Sequence, residues 1–257
     1  MDLTDASAIV TGGAGGFGSA TVRKLAERGA RVVIADVADD RGRALADEVS
    51  GSVYVRTDCT DEGAVVAAVQ AATDLAPLRA AVVAHVGPPS PVVPGSVLHD
   101  DGTRRPVIAF DHMVDVHLKS PYLVTAVAAE AMAENEPLAD DQRGVVIITV
   151  SIAGIDGPAA LAGYAAAKGG IVAMVLPLAR DLAPRGIRIV GIAPGPFLTL
   201  ALQSAAASGE FEFEWSSMVP NPGRLGDPRE YASLAAEIVA NDFLNGTTIR
   251  LDGATRL

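Results

Sequence analysis

The 257-residue sequence holds a single cysteine, Cys59. One thiol excludes an intrachain disulfide framework and a metal site built on several cysteines. Aromatic residues are scarce too, at 4%, although hydrophobic residues reach 49%. A core must therefore be assembled from Ala, Val, Leu and Ile. Lysine occurs three times among 20 basic residues, at Lys24, Lys119 and Lys168. We read the Arg and Ala bias as coding composition. There is no basic excess either: the formal net charge is −11, which argues against nucleic acid or an anionic membrane as the main partner. No apolar run reads as long enough to span a membrane. The opening MDLTDASAIVTGG has neither the basic n-region nor the apolar stretch of a signal peptide. The expectation is a soluble, cytoplasmic protein acting on a small molecule, with no resident metal.

What is present begins with glycine. Residues 8–10 read as a short strand and 19–28 as a helix with an apolar stripe at Val22, Leu25 and Ala26, ended by Gly29. RVVIAD, 31–36, is the next buried strand. Between strand and helix, Gly13, Gly15 and Gly18 satisfy GxGxxG, while Thr11, Gly12, Gly16 and Gly18 satisfy TGxxxGxG. Alone such a pattern is weak. Inside a strand–turn–helix–strand unit it predicts a pyrophosphate seat, because bare backbone N–H groups at a helix start can approach the anion closely. Asp36 ends the second strand. A carboxylate there suits adenine-ribose hydroxyls and repels a 2′-phosphate, so NAD(H) is expected over NADP(H).

A second constellation lies in residues 151–168, SIAGIDGPAALAGYAAAK. Ser151 follows an apolar strand pattern at 144–150. Tyr164 and Lys168 are four apart and share one helix face. The Lys168 ammonium is expected to favour the Tyr164 phenolate and lower its pKa, making a general acid/base. Ser151 would hydrogen-bond the reacting oxygen. By itself YxxxK occurs by chance on many helices.

Strand patterns continue at 53–56, 79–87, 187–195 and 247–253, and helices alternate with them. Thr60–Asp61 reads as a helix cap. A long helix is expected over 110–134, starting near Asp111. With no linker-like break, residues 1–257 read as a single α/β domain. It is a Rossmann-type, doubly wound parallel sheet of about seven strands flanked by helices. Glu210, Glu212 and Glu214 alternate with Phe211, Phe213 and Trp215, which suggests an amphipathic substrate lid around 196–222 or, equally, a solvated loop.

TGGAGGFG (11–18), VVIAD (32–36), DCTD (58–61), Ser151, YAAAK (164–168) and PGPFLT (194–199) together resemble the short-chain dehydrogenase/reductase family across nearly the whole chain. QRGVVIITVS (142–151), GRLGDPREYA (223–232) and NDFLNGTTIRLDGA (241–254) are similar to its type II 3-hydroxyacyl-CoA dehydrogenase branch. The resemblance implies an NAD-dependent interconversion of a secondary alcohol and a ketone. The substrate would be a 3-hydroxyacyl-CoA or an apolar hydroxy compound such as a hydroxysteroid. It assigns catalysis to Ser151, Tyr164 and Lys168. It assigns cofactor binding to Thr11, Gly12, Gly16, Phe17 and Gly18, to Asp36, Asp58 and Cys59, to Gly87, to Tyr164 and Lys168, and to Pro194, Gly195, Phe197 and Thr199. Family members are commonly homotetramers.

Two positions depart from the family pattern. His85 stands where the family has Asn in Asn-Ala-Gly. His117 stands where it has a catalytic Asn, so His117 joins the catalytic set as a replacement. The two imidazoles could lie close together and compensate for each other. Arg104 and Arg105 are candidates for CoA phosphates. Two other functions compete: a 3-oxoacyl reductase of fatty-acid synthesis, disfavoured by Asp36, and a catalytically weakened NAD(H)-binding sensor or assembly protein, favoured only by His117.

Overall fold

The computed structural model describes residues 1–84, 96–199 and 215–257. Seven strands form one parallel sheet in the order β3-β2-β1-β4-β5-β6-β7. They are β1 (Ser7–Thr11), β2 (Arg31–Asp36), β3 (Ser52–Arg56), β4 (Leu78–Val83), β5 (Gly144–Thr149), β6 (Ile187–Pro194) and β7 (Thr247–Leu251). The inner strands are runs of Val, Ile and Ala buried on both faces, as a parallel sheet covered by helices requires. The outermost strands, β3 and β7, are only partly buried. The strand order reverses between β1 and β4, and the crevice at such a switch point is where ligands bind in open α/β sheets.

The helices are α1 (Gly16–Glu27), α2 (Asp39–Glu48), α3 (Glu62–Leu75), α4 (Ile108–Val114), α5 (Ser120–Ala133), α6 (Ala153–Asp156), α7 (Ala162–Leu182) and α8 (Pro228–Ala240). They enclose two apolar layers. One gathers Val22, Leu25, Tyr231 and Ile238 against the sheet, and the other Val65, Val124, Met132 and Ile171. Each of these large side chains contributes about 1.5–3 kcal/mol through burial.

Three expectations are corrected. The first helix begins at Gly16 rather than residue 19, so the glycines form its first turn. The long helix expected over 110–134 is interrupted by a π-helical turn, Asp115–Lys119, between α4 and α5. Pro121 accounts for it. A proline has no N–H to give the carbonyl four residues back, here that of His117, and its ring pushes that carbonyl aside. Finally, Ala162–Arg185 is long and apolar enough to cross a bilayer, against the reading that no run is. Its apolarity comes from Ile171, Val172, Val175, Leu176, Leu178 and Leu182 together with Ala, and the helix packs on β6 and α6.

Gly186 ends this helical stretch at φ +68°, and a Cβ there would lie 1.9 Å from Asp141 O. Gly51 has φ +79° but open space around it. Gly186→Ala should therefore cost about 2 kcal/mol or more in urea unfolding, and Gly51→Ala about 1 kcal/mol. Equal losses would mean that φ alone, and not the close approach, matters at Gly186.

Candidate active site

The glycine turn leaves β1 at Thr11 and enters α1 at Gly16. Gly12 sits at φ +65°, and a Cβ on Gly18 would fall 2.0 Å from Gly12 O. Only glycine lets the helix start folded back on the turn. The first amides of α1 have no partner within the helix and carry the positive end of its dipole. A Cβ on Gly16 would lie 3.4 Å from Thr199 Cβ, so the loop after β6 meets the glycine turn there. A crevice of about 320 Å³ opens between Gly15, Gly16, Ser19, Arg23, Leu198 and Asp227. A larger hollow of about 490 Å³, at the α2–β3 edge of the sheet, shares no residue with it.

Asp36, 9% exposed, ends β2 beside this turn. Its Oδ2 accepts from Ala14 N at 2.9 Å and its Oδ1 from Ala38 N at 2.9 Å. The carboxylate thus holds the glycine turn itself, and each oxygen keeps lone-pair capacity for a further donor. Asp58 is exposed, and its Oδ1 accepts from Thr60 N (2.9 Å) and Thr60 Oγ1 (2.7 Å). Asp61 alone caps α3, through Ala64 N at 2.9 Å. Cys59 hydrogen-bonds Thr11, and burial pushes its thiol up to about 12. It is an inert packing group beneath the turn.

Phe17 and Phe197, expected to bind cofactor, turn their rings inward. They meet edge-on at 5.1 Å, and Phe17 stacks on Tyr231 at 4.5 Å. Any cofactor contact they make is through the backbone. Pro194 O accepts from Ile152 N at 3.1 Å, and Gly195 N donates to Leu251 O at 3.0 Å, fixing the end of β6 beside the Ser151 segment.

Three catalytic candidates meet at the end of β5. Ser151 Oγ accepts from Ala153 N at 3.1 Å, and the Ser151 side chain is close enough to Tyr164 to influence its pKa. Lys168 Nζ lies 5.9 Å from the Tyr164 ring centroid. A Cβ on Gly154 would lie 2.6 Å from the Lys168 carbonyl carbon, so α6 and α7 touch backbone to backbone at this residue. His117, 6% exposed, sets its ring edge-on to Tyr164 at 5.1 Å. The π-helical turn thus carries an imidazole to the Tyr164 phenol.

The charges run opposite to expectation. Burial raises the Tyr164 pKa, with the nearby Ser151 side chain opposing it. Burial lowers that of Lys168 to about 7. Lys168 is completely buried, and its ammonium donates to Thr149 O at 2.9 Å rather than to the phenol. Lys168 therefore does not depress the Tyr164 pKa in this arrangement, because desolvation dominates both groups.

His85 and Gly87 lie outside the described residues, as do Glu210, Phe211, Glu212, Phe213, Glu214 and the side chain of Trp215. The His85–His117 pair and the lid are thus without a structural account. Arg104 is exposed on a short bridge to Leu98. Among the described residues, no three His, Cys, Asp or Glu side chains gather to hold a metal. Sequence reading missed Thr149 and Tyr231. Thr149 lies two residues before Ser151 within an apolar run, and Tyr231 reads simply as one more apolar position of α8.

A switch-point glycine turn opposite a phenol that can move a proton defines a dinucleotide-dependent oxidoreductase. Comparison with known proteins agrees. A family model described as Enoyl-(Acyl carrier protein) reductase matches residues 12–254. Human 3-hydroxyacyl-CoA dehydrogenase type-2 is 41% identical over 97% of this chain and 95% of its own length. Cis-4-hydroxycyclohexanecarboxylate dehydrogenase of Sinomonas cyclohexanicum is 34% identical over 96% of this chain and 94% of its own. The crystal structure of 3-hydroxyacyl-CoA dehydrogenase type-2 from Mycobacterium avium superposes with a TM-score of 0.92 at 42% identity, covering 98% of this chain and 96% of that one. The chain belongs to the short-chain dehydrogenase/reductase family and is an oxidoreductase.

The buried lysine should be visible in stability. Its pKa falls from 10.5 to about 7 on folding, so its stabilising contribution is complete above pH 10.5 and is lost as pH falls to about 7. Lys168→Met removes this dependence. Denaturant unfolding should show the variant gaining on wild type as pH falls from 10 to 7, by roughly 4 kcal/mol at most. A pH-independent difference would mean that Lys168 keeps an ordinary pKa in the folded chain.

Proposed function

We propose that this enzyme interconverts a secondary alcohol and a ketone with NAD(H), acting on a 3-hydroxyacyl-CoA or a comparably apolar hydroxy compound. The closeness of the Ser151 and Tyr164 side chains, enough for Ser151 to oppose the rise in the phenol's pKa, carries the reaction type. It sets a hydroxyl pair at the C-terminal edge of the sheet, able to hold one substrate oxygen and exchange its proton. Asp36 supports NAD(H): its carboxylate sits against the glycine turn, where a 2′-phosphate would meet like charge. The 41% identity to human 3-hydroxyacyl-CoA dehydrogenase type-2 supports the substrate class.

The glycine turn fits the cofactor because Gly12, at φ +65°, and Gly18, whose Cβ would strike the backbone of Gly12, let the chain fold tightly into α1 and leave the helix start bare for a pyrophosphate. Thr11, Gly12, Gly16 and Gly18 would cradle the pyrophosphate, Asp36 the adenine ribose, and the end of β6 with Thr199 the nicotinamide side. When bound, the nicotinamide gives or takes the hydride. Tyr164 donates its proton to the carbonyl oxygen in reduction and takes the alcohol proton in oxidation. Ser151 orients that oxygen. Lys168 supplies a proton-exchanging amine near the phenol, and His117 packs against the phenol ring in a place the family gives to Asn.

The protein should oxidise NADH with members of a ketone panel that includes acetoacetyl-CoA. Tyr164→Phe should lose at least about 100-fold in kcat while still binding NADH. Turnover surviving in Tyr164→Phe would refute the assignment, and equal use of NADPH would refute the role of Asp36. Because burial raises the Tyr164 pKa, alcohol oxidation, which needs the phenolate, should climb with pH through 9. Ketone reduction, which needs the phenol, should stay flat from pH 6 to 8. Binding of NADH with no turnover of any ketone, restored by His117→Asn, would favour the weakened-sensor reading.

We further propose a homotetramer. Phe110 on α4, Tyr122 on α5 and Leu176 on α7 are 46%, 52% and 44% exposed, apolar surface that copies of the chain would cover. Light scattering of the eluted protein should give four times the 26.2 kDa chain mass, and a monomer would contradict this.

A further inference from the structure

One buried side chain touches both halves of the site. Tyr231 on α8 is wholly buried, and its hydroxyl lies 2.7 Å from Thr149 Oγ1. The carbonyl of that same Thr149 takes the Lys168 ammonium at 2.9 Å. On its other side, the Tyr231 ring stacks on Phe17 at 4.5 Å with 28° between planes. Phe17 stands in the first turn of α1, between Gly16 and Gly18. It also meets Phe197, two residues before the Thr199 that abuts Gly16.

We infer that Tyr231 is a positioning residue that sets the cofactor-binding glycine turn in register with Lys168. Its ring holds the turn, and its hydroxyl holds the end of β5. Phenylalanine would supply the same stack. A hydroxyl buried in an aromatic cluster is costly unless it is bonded, and here it is bonded to the residue that carries the lysine's acceptor. Thr149 is the last residue of β5, paired with Ile192, and Val150 N still donates to Ile192 O at 2.7 Å. Thr149 has few side-chain rotamers, so fixing its Oγ1 fixes the peptide whose oxygen faces Lys168. Removing the Tyr231 hydroxyl lets that oxygen drift and weakens the ammonium's hydrogen bond. Around Lys168 stand Tyr164 on its own helix, Tyr231 bonded to Thr149, and His117 against the Tyr164 ring.

The coupling rests on the proposed function only for its catalytic meaning, so the first readout needs neither cofactor nor substrate. Full-length protein labelled with 13Cε-lysine gives three lysine signals, and Lys168 is assigned by its loss in Lys168→Met. In Tyr231→Phe the Lys168 midpoint should fall by about half a pH unit or more, because the charged form loses part of its acceptor, while Lys24 and Lys119 stay in place. Thr149→Val should reproduce the fall, the double variant should add little, and Thr149→Ser, which keeps a hydroxyl, should restore the midpoint. Phe17→Leu keeps the Tyr231–Thr149 bond. It should leave the Lys168 midpoint in place and weaken NADH binding about fivefold or more in fluorescence titration.

In turnover, Tyr231→Phe should lower kcat about tenfold with the KM for NADH changed less than about twofold. An unchanged Lys168 midpoint in folded Tyr231→Phe overturns the inference, even if the protein proves to be an active dehydrogenase. If Tyr231→Phe does not fold, an unchanged midpoint in Thr149→Val overturns it equally. Absence of ketone turnover in the wild type would refute the proposed function and leave the lysine titration to decide the coupling.

Discussion

The hydrogen bond from Lys168 Nζ to Thr149 O is the contact on which the site is built. An ammonium in a fully buried position is expensive, and this one has a single acceptor among the described residues. For the carbonyl to be there, β5 must end at Thr149 and the chain must turn at once into Ser151 and α6. For the amine to reach it, α7 must lie against α6 without a side chain between them, which is what Gly154 permits. Ser151 and Tyr164 are brought together by the same two constraints. The catalytic geometry thus follows from burying one lysine, and its proton affinity near neutral pH follows from the same burial.

Much of this was legible beforehand. Alternating Val/Ile runs and amphipathic helices predicted a parallel sheet because strands covered on both faces must be apolar throughout. The spacing of Tyr164 and Lys168 placed them on one helix face, and Gly12 to Gly18 marked the turn, since both features are local. The interruption at Asp115–Lys119 was also written in the chain, in Pro121, although apolar periodicity alone ran straight through it. The titration of Tyr164 and Lys168 was not legible. Spacing shows that two charges are near, whereas burial depends on everything packed around them, and here burial decides the direction for both groups. Thr149 and Tyr231 are 82 positions apart, and no local pattern joins them.

Aromatic scarcity gives this last contact its weight. In a core made of Ala, Val, Leu and Ile, the rings of Phe17, Phe197 and Tyr231 are large, flat and specific in how they meet. Aliphatic side chains at these positions could fill the space in several ways, and the glycine turn has no side chains of its own to choose among them. Three rings at fixed angles remove that freedom. The turn can then remain bare for a pyrophosphate and still be held in one place, its backbone by Asp36 and its flank by Phe17.

The same logic bears on His117. A residue at a π-helical turn projects differently from one in a regular helix, because the turn holds one extra residue. A side chain larger than the family's asparagine is therefore received at a place where the backbone has already left the regular path. Pro121, which has no N–H to give the carbonyl of His117, favours that departure. The imidazole and the Tyr164 ring stand T-shaped, 87° between planes, the arrangement in which a positive ring edge meets a negative π-face. The histidine at this position thus brings a ring contact to the Tyr164 phenol, made from a turn where the backbone has left the regular helix.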